Sequence, residues 1–381
     1  MNFEALLKLM ADKKGSDLFI TAGVPPCMKL NGQVVPITQR ALTAEKSREV
    51  VLSIMNEDQR KVFSRDRECN FAISAYGVGR FRVSAFQQRN NVGMVLRRIE
   101  TYIPTCEELH LPKVAQDLAM AKRGLVIMVG ATGSGKSTSL AAMLGLRNRS
   151  TNGHIITIED PIEFLHEHDK CLVTQREVGI DTDSYETGLK NALRQAPDVV
   201  MLGEIRTRET MEYAVAFAET GHLVLTTLHS NNANQALDRI LHLMPEDKVN
   251  QTLLDLSLNL KAIVAQQLIP TIDGKGRRVA LEVLINTPLV ADHIRKGEMH
   301  MLKEVMKRST EHGMRTFDQY LFDLYKQQII SYDDALHSAD SPNDLRLMIK
   351  LDQKEGGALD SDDLNSAMSG VAMVDDEGMR R

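Results

Sequence analysis

Leu125-Val126-Ile127-Met128-Val129-Gly130-Ala131-Thr132-Gly133-Ser134-Gly135-Lys136-Ser137-Thr138 is the stretch that decides the fold. Its first five residues form an apolar run of strand length, bounded by Gly124 and Gly130. Gly130 to Ser137 fits G-x-x-x-x-G-K-[ST] at every defined position, and Thr138 to Leu144 reads as a helix. Strand, glycine turn and helix, in that order, are the context a phosphate-binding loop needs. The glycines let backbone N–H groups close on anionic oxygens, and the helix N-terminus adds a partial positive charge. Lys136 can reach the β- and γ-phosphates, and the Ser137 hydroxyl can ligate Mg²⁺. Gly130, Ala131, Thr132, Gly133, Ser134, Gly135, Lys136, Ser137 and Thr138 are therefore the expected binding set for a nucleoside triphosphate such as ATP.

Working outward, the C-terminal side repeats strand then helix. His154 to Ile158, Val199 to Leu202 and His222 to Thr227 read as buried strands. Ser184 to Gln195 and Thr207 to Glu219 read as helices between them. This alternation implies a mainly parallel sheet covered on both faces. Asn250 to Leu268 reads as one long helical stretch, Arg277 to Ile285 as a strand, and Thr316 to Gln327 and Ser331 to Ser338 as helices.

On the N-terminal side, Phe3 to Met10 is a short amphipathic helix. Asp17 to Thr21, Met28 to Leu30 and Val34 to Ile37 read as strands, with Asn31-Gly32 as a hairpin turn. Thr43 N-caps a helix running to Asn56. Phe71 to Ala75, Gly79 to Phe86 and Val92 to Ile99 follow as strands. The expected organisation is an α+β domain over 1–100, a linker over 101–115 with Pro104 and Pro112, an α/β domain with C-terminal helices over 116–350, and an acidic tail over 351–381.

The 381 residues suffice for two domains with cores, and the apolar fraction of 43% is ordinary for a globular protein. No apolar run reaches the ~18 residues of a membrane span, and Met1-Asn2-Phe3-Glu4 does not resemble a secretory signal. Cys27, Cys69, Cys106 and Cys171 are far apart without C-x-x-C, which favours free thiols in a reducing cytoplasm over disulfides or zinc. Residues 351–381 hold eight acids and three bases, so the whole formal charge of −5 lies there. Their Gly, Ser and Asp content predicts disorder. With no long basic run, no Trp and few aromatic residues, nucleic acid is not an expected partner.

Three further motifs carry candidate chemistry. Ile156-Thr157-Ile158-Glu159-Asp160-Pro161-Ile162-Glu163 is a strand ending in carboxylates, and Glu163, at the exit of the proline turn, is the candidate for orienting an attacking water. A solvated acidic loop satisfies the same spacing. Pro197 to Arg206 is an apolar strand followed by Glu204, which can hold the Mg²⁺ shell or pair with Arg206. His222 and His229 flank the third buried strand, where either could hydrogen-bond a phosphate or be structural. Arg80, Arg82, Arg89, Arg97 and Arg98 cluster in the last N-terminal strands, where a guanidinium could serve a phosphoryl group or simply face solvent.

The ordered motifs, phosphate loop, T-I-E-D-P-I-E, P-D-V-V-M-L-G-E-I-R and E-T-G-H-L-V-L-T-T-L-H-S, resemble the secretion ATPases, and within them the PilT/PilU family of type IV pilus retraction ATPases. Ala22-Gly23-Val24-Pro25-Pro26, Gly79-Arg80-Phe81-Arg82-Val83 and Gly313 to Gln319 extend the likeness to both ends, as far as about Asn343. The resemblance implies a PAS-like N-terminal domain, a RecA-like ATPase domain and a homo-hexamer that uses ATP and Mg²⁺ to drive or assist pilus retraction and twitching motility. It implies two partners, a PilT-like retraction ATPase and the inner-membrane pilus platform protein, met from the cytoplasm. Lys136 and Ser137 fall on the Walker A lysine and hydroxyl, Glu163 on the catalytic glutamate of the acidic box, and Glu204 on the Walker B glutamate. His222 and His229 fall on the histidine box, and Arg82 and Arg97 on N-terminal arginines that reach the nucleotide. The zinc module of the longer assembly and secretion ATPases has no counterpart. The PilT pattern has an acid in place of Ala196, usually an Asp in place of Thr207, and A-I-R-N-L-I-R-E where this chain has Leu289 to Glu298. These departures, with the acidic tail, resemble the PilU branch. An accessory ring working through a partner motor, or an assembly-type motor, is the alternative.

Overall fold

The computed structural model describes residues 3–30 and 32–355. Asn31 of the expected turn, and 356–381 of the expected acidic tail, lie outside the described residues.

The N-terminal part begins with α1 (Phe3–Asp12), followed by β1 (Asp17–Ile20), β2 (Cys27–Leu30) and β3 (Gln33–Pro36). Next come α2 (Ala44–Ser53), α3 (Glu57–Asp66), β4 (Glu68–Ala75), β5 (Gly79–Gln88) and β6 (Asn91–Arg98). Among the described residues these strands form one antiparallel sheet, ordered β3-β2-β1-β6-β5-β4. Thr43 caps α2 by accepting from the Lys46 N–H. The helix ends at Ser53, however, and Asn56 opens α3 with a capping box, an element not anticipated from sequence. Phe81, Met94, Leu96, Leu18 and Met28 close the core between sheet and helices.

The second part starts with α4 (Lys113–Ala119), β7 (Gly124–Val129) and α5 (Lys136–Ser150). It continues through β8 (Gly153–Glu159), β9 (Cys171–Glu177), α6 (Tyr185–Ala192), β10 (Val199–Leu202), α7 (Arg208–Glu219) and β11 (Leu223–Leu228). Then follow α8 (Ala233–Leu243), α9 (Val249–Asn259), β12 (Leu260–Pro270) and β13 (Arg277–Ile285). The helices α10 (Pro288–Lys296), α11 (Leu302–Arg308), α12 (Phe317–Lys326), α13 (Tyr332–Ser338) and α14 (Pro342–Glu355) complete the chain as described. The strand order is β13-β12-β7-β11-β10-β8-β9, with only the β12–β13 pair antiparallel among the described residues. The fold is thus α/β, an antiparallel α+β domain followed by a mainly parallel sheet.

Strand β7 shows why its sequence is apolar without alternation. Leu125, Ile127 and Val129 enter the core on one face, and Val126 and Met128 enter the core on the other. One expectation fails in this part. The helical stretch read over Asn250 to Leu268 is helix only to Asn259, and Leu260 onward is β12, hydrogen-bonded to β7 and β13. A central strand buried on both faces reads as a continuous apolar run, so it continues the helix pattern without a break signal. Strand β9 also went unread, because its exposed Leu172 and half-buried Thr174, Gln175 and Arg176 mark an edge rather than a core strand.

Candidate active site

Parallel pairing sets the site. Leu228 is level with Val129, and Leu202 with both Thr226 and Ile158. The turns after β7, β8, β10 and β11 therefore open on one sheet edge, the carboxyl edge, where ligands bind in such sheets. A cavity of about 390 Å³ lies there, with Gly133, Lys136, Ser137, Glu163, Glu204 and His229 in its wall.

The loop after β7 is shaped by what its glycines leave out. A Cβ on Gly130 would stand 2.5 Å from the Gln266 carbonyl oxygen, and one on Gly135 would stand 2.9 Å from Gln266 Nε2. Gly135, at φ +85°, is also the N-cap of α5. Gln266, on β12, is fully buried and ties the loop down. Its Nε2 donates to the Ser134 carbonyl at 2.7 Å, and its Oε1 accepts from Ser139 Oγ at 2.8 Å. Sequence reasoning missed this residue, although two glutamines inside an apolar run were a signal. Ser134 Oγ is buried without a hydrogen-bond partner among the described residues.

Lys136 is 7% exposed and donates to the carbonyls of Gly130 at 2.7 Å and Ala131 at 2.9 Å. Burial lowers its pKa, opposed by the nearby charges of Glu204 and Glu163. Glu204 is held on both oxygens, Oε1 by Arg206 Nη2 and Oε2 by His229 Nε2 at 3.3 Å. Glu163 follows the cis Asp160–Pro161 bond and is exposed to the cavity. Glu159, not singled out from sequence, is 6% exposed beside it. Burial pushes its pKa up to about 7, against hydrogen bonds from Thr157 Oγ1 at 2.6 Å and Gln175 Nε2 at 3.1 Å. His166 also lines the cavity, and burial, with the Arg149 charge, pushes its pKa down to about 4, so it is neutral. Tyr185 stays protonated, its phenol buried and further disfavoured as an anion by Asp160, Glu204 and Glu159.

The two histidines part company. His229, just past β11, sits at the phosphate loop. His222 precedes the strand, its carbonyl accepting from the Gly124 N–H at the opposite sheet edge. The six residues of β11 lie between them, and seven steps at ~3.3 Å per residue separate them by roughly 23 Å. His222 Nδ1 lies 3.1 Å from Thr220 Oγ1 and 3.1 Å from the Phe217 carbonyl, and its ring meets Phe217 edge-on. Within one chain His222 therefore lies at the sheet edge opposite the phosphate loop, in the α7–β11 turn.

Arg82 and Arg97 are cross-strand partners on β5 and β6. Both line a cleft of about 630 Å³ between the two sheets, whose far wall is Thr138, Pro161, Ile162, Glu163 and Phe164. Arg82 Nε lies 3.9 Å from Glu177 Oε1 on β9, Arg80 3.9 Å from Asp181, and Arg97 2.9 Å from Asp17. Thr207 caps α7 by accepting from the Thr210 N–H.

The loop, lysine and helix end make an anion site with room for a triphosphate. Among the described residues no group of three His, Cys, Asp or Glu side chains could cage a metal.

A family model described as Type II/IV secretion system protein matches residues 27–328. The chain is 66% identical to the Type IV pilus ATPase PilU of Pseudomonas aeruginosa, covering 100% of both chains. It is 40% identical to that organism's Type IV pilus retractation ATPase PilT, covering 90% of this chain and 99% of the relative. The crystal structure of the pilus retraction motor PilT with bound ADP superposes with a TM-score of 0.84 at 37% identity, over 91% of this chain and 99% of the other.

Proposed function

We propose how this chain, which belongs to the type II/IV secretion system protein family, converts nucleotide hydrolysis into movement. It is an ATPase of the type IV pilus, of the retraction group. Lys136 exchanges the Gly130 and Ala131 carbonyls for the β- and γ-phosphates, and the α5 N-terminus receives the remaining phosphate charge. Ser137, with Glu204 directly or through water, would hold Mg²⁺, which would supply neutralisation of the phosphate charge. Glu163 orients the water that attacks the γ-phosphorus, and ADP and phosphate leave. His229 and Arg206 fix the Glu204 carboxylate. Arg82 and Arg97 swing from Glu177 and Asp17 towards the transferring phosphoryl when the interdomain cleft closes. One observation carries this reading: Lys136, Ser137, Glu163 and Glu204 share one cavity.

The working form is a homo-hexamer at the cytoplasmic face of the inner membrane. Each N-terminal domain moves against a neighbouring ATPase domain, and the ring passes that motion to the pilus platform protein. Among the described residues no helix is long and apolar enough to cross a membrane, consistent with a peripheral ring. ATP turnover of isolated Lys136→Ala and Glu163→Ala rings tests the chemistry. Background rates are expected, and turnover like wild type in either removes the proposed site.

A second reading is favoured by one observation. Leu254 and Leu258 on α9 and Leu289 on α10 are exposed, and the two helices pack together. Leu289 opens the segment that departs from the PilT pattern, and the patch it shares with α9 suits a ring that acts through a PilT-like partner motor. On that reading Glu204→Ala still supports twitching while the partner is active, and loss of twitching rejects it.

A further inference from the structure

A second groove, of about 510 Å³, lies outside the nucleotide cavity, between the β12–β13 hairpin and the α12–α13 turn. Its apolar surface is Ile272, 64% exposed, with Ile329, and the Ile272 N–H donates to the Ile329 carbonyl at 2.9 Å. Around this surface stand Lys275, Arg277 and Arg278, whose side chains have no ion-pair or hydrogen-bond partner among the described residues. The two acids nearby are already engaged. Glu108 accepts from Tyr102 and the Thr105 N–H, and Asp273 from Thr271 and the Lys275 N–H. Three unpaired cations around exposed isoleucines call for an anionic segment that also carries apolar side chains.

The chain supplies one at the right place. Asp352 of α14 accepts from Lys326, the last residue of α12, two positions before groove residue Gln328. The chain thus leaves α14 beside the groove. Beyond Glu355 it continues with Leu359-Asp360-Ser361-Asp362-Asp363-Leu364, three acids bracketed by leucines. Five residues reach roughly 17 Å at most, which confines Asp360 to the neighbourhood of the end of α14. We propose that this segment of the same chain docks in the groove, its aspartates against Lys275, Arg277 and Arg278 and its leucines against Ile272 and Ile329. A short tether gives an effective concentration of about millimolar, so a contact too weak to survive between separate molecules is occupied within one. Arg277 also lines a cavity of about 300 Å³ with Ala131 to Ser134, so the groove adjoins the outer side of the phosphate loop.

Hydrogen exchange of the full chain tests docking without reference to turnover. In D360N/D362N/D363N, amides of 271–279 are expected to exchange about fivefold faster or more at about 0.05 M salt, with β7 unchanged as the folding control. Wild type at about 1 M salt should match the variant. Charge exchange, K275E/R278E combined with D360K/D362K/D363K, should restore the slow exchange that K275E/R278E alone loses. Equal exchange in wild type and the asparagine variant at low salt overturns the proposal. Protection that fades on dilution assigns the groove to another copy's tail and overturns it equally.

Discussion

Replacing Gln266 by Leu isolates what holds the phosphate loop in shape. Leucine keeps much of the volume of a side chain that is 1% exposed, so the change removes polar contacts rather than packing. It strips the buried Ser134 carbonyl of its 2.7 Å donor and Ser139 Oγ of its 2.8 Å acceptor. Each orphaned buried group costs about 1–3 kcal/mol. The Ser139 hydroxyl can turn back to the Gly135 carbonyl one turn earlier, which trims the total to roughly 2–4 kcal/mol. If that energy orders the loop for its ligand, nucleotide must supply it on binding, and affinity falls between about 30-fold and 1,000-fold. Titration calorimetry with ADP measures the loss directly. A double-mutant cycle with Ser139→Ala separates the two bonds, and the pair should be strongly non-additive. ADP affinity in Gln266→Leu within about threefold of wild type refutes the bracing role, whatever the melting temperature does.

Glu282, 1% exposed with its Oε1 accepting from the Ala233 N–H, has a pKa pushed up to about 7 by burial. In the unfolded chain it ionises near 4.3, so its stabilising effect is complete below that pH and is lost as pH rises to about 7, by about 4 kcal/mol. Glu282→Gln should therefore melt above wild type at pH 8 and with it near pH 4.5, and equal melting at pH 8 contradicts the assignment. His229→Ala is expected to lower ATP turnover by at least about tenfold through loss of Glu204 positioning, while His222→Ala leaves turnover within about threefold and lowers the melting temperature. A steady-state ATPase assay that finds the reverse order sinks the placement of the two histidines. Gly130→Ala places a methyl 2.5 Å from the Gln266 carbonyl and should abolish tight ADP binding, as read by calorimetry, because the obstructing atom is backbone and cannot turn away.

The phosphate loop was legible because its chemistry is local: glycines, lysine and hydroxyl follow one another on strand, turn and helix. Glu204 and Glu163 were legible as strand-end acids, since the edge of a parallel sheet that carries the loop also carries the carboxyl ends of its neighbours. His222 was within reach of the same rule. It precedes its strand, so it belongs to the edge opposite the loop, but symmetric flanking by two histidines obscured the direction. Gln266 was missed while Leu260 to Leu268 read as helix, because a buried central strand has no alternation to announce it and its paired glutamines were the one remaining signal. The pairing of Arg80 and Arg82 with Asp181 and Glu177 joins residues about a hundred positions apart, and no local pattern encodes which edge of one sheet faces the other.

Pro161, Glu163 and Phe164 line the nucleotide cavity on one side and the cleft beneath Arg82 and Arg97 on the other. The acidic turn is thus a party wall between two rooms. Any displacement of that turn enlarges one room at the expense of the other. The N-terminal sheet, seated across that second room on ion pairs as long as 3.9 Å, needs no relay of intermediate residues to register what the first room holds.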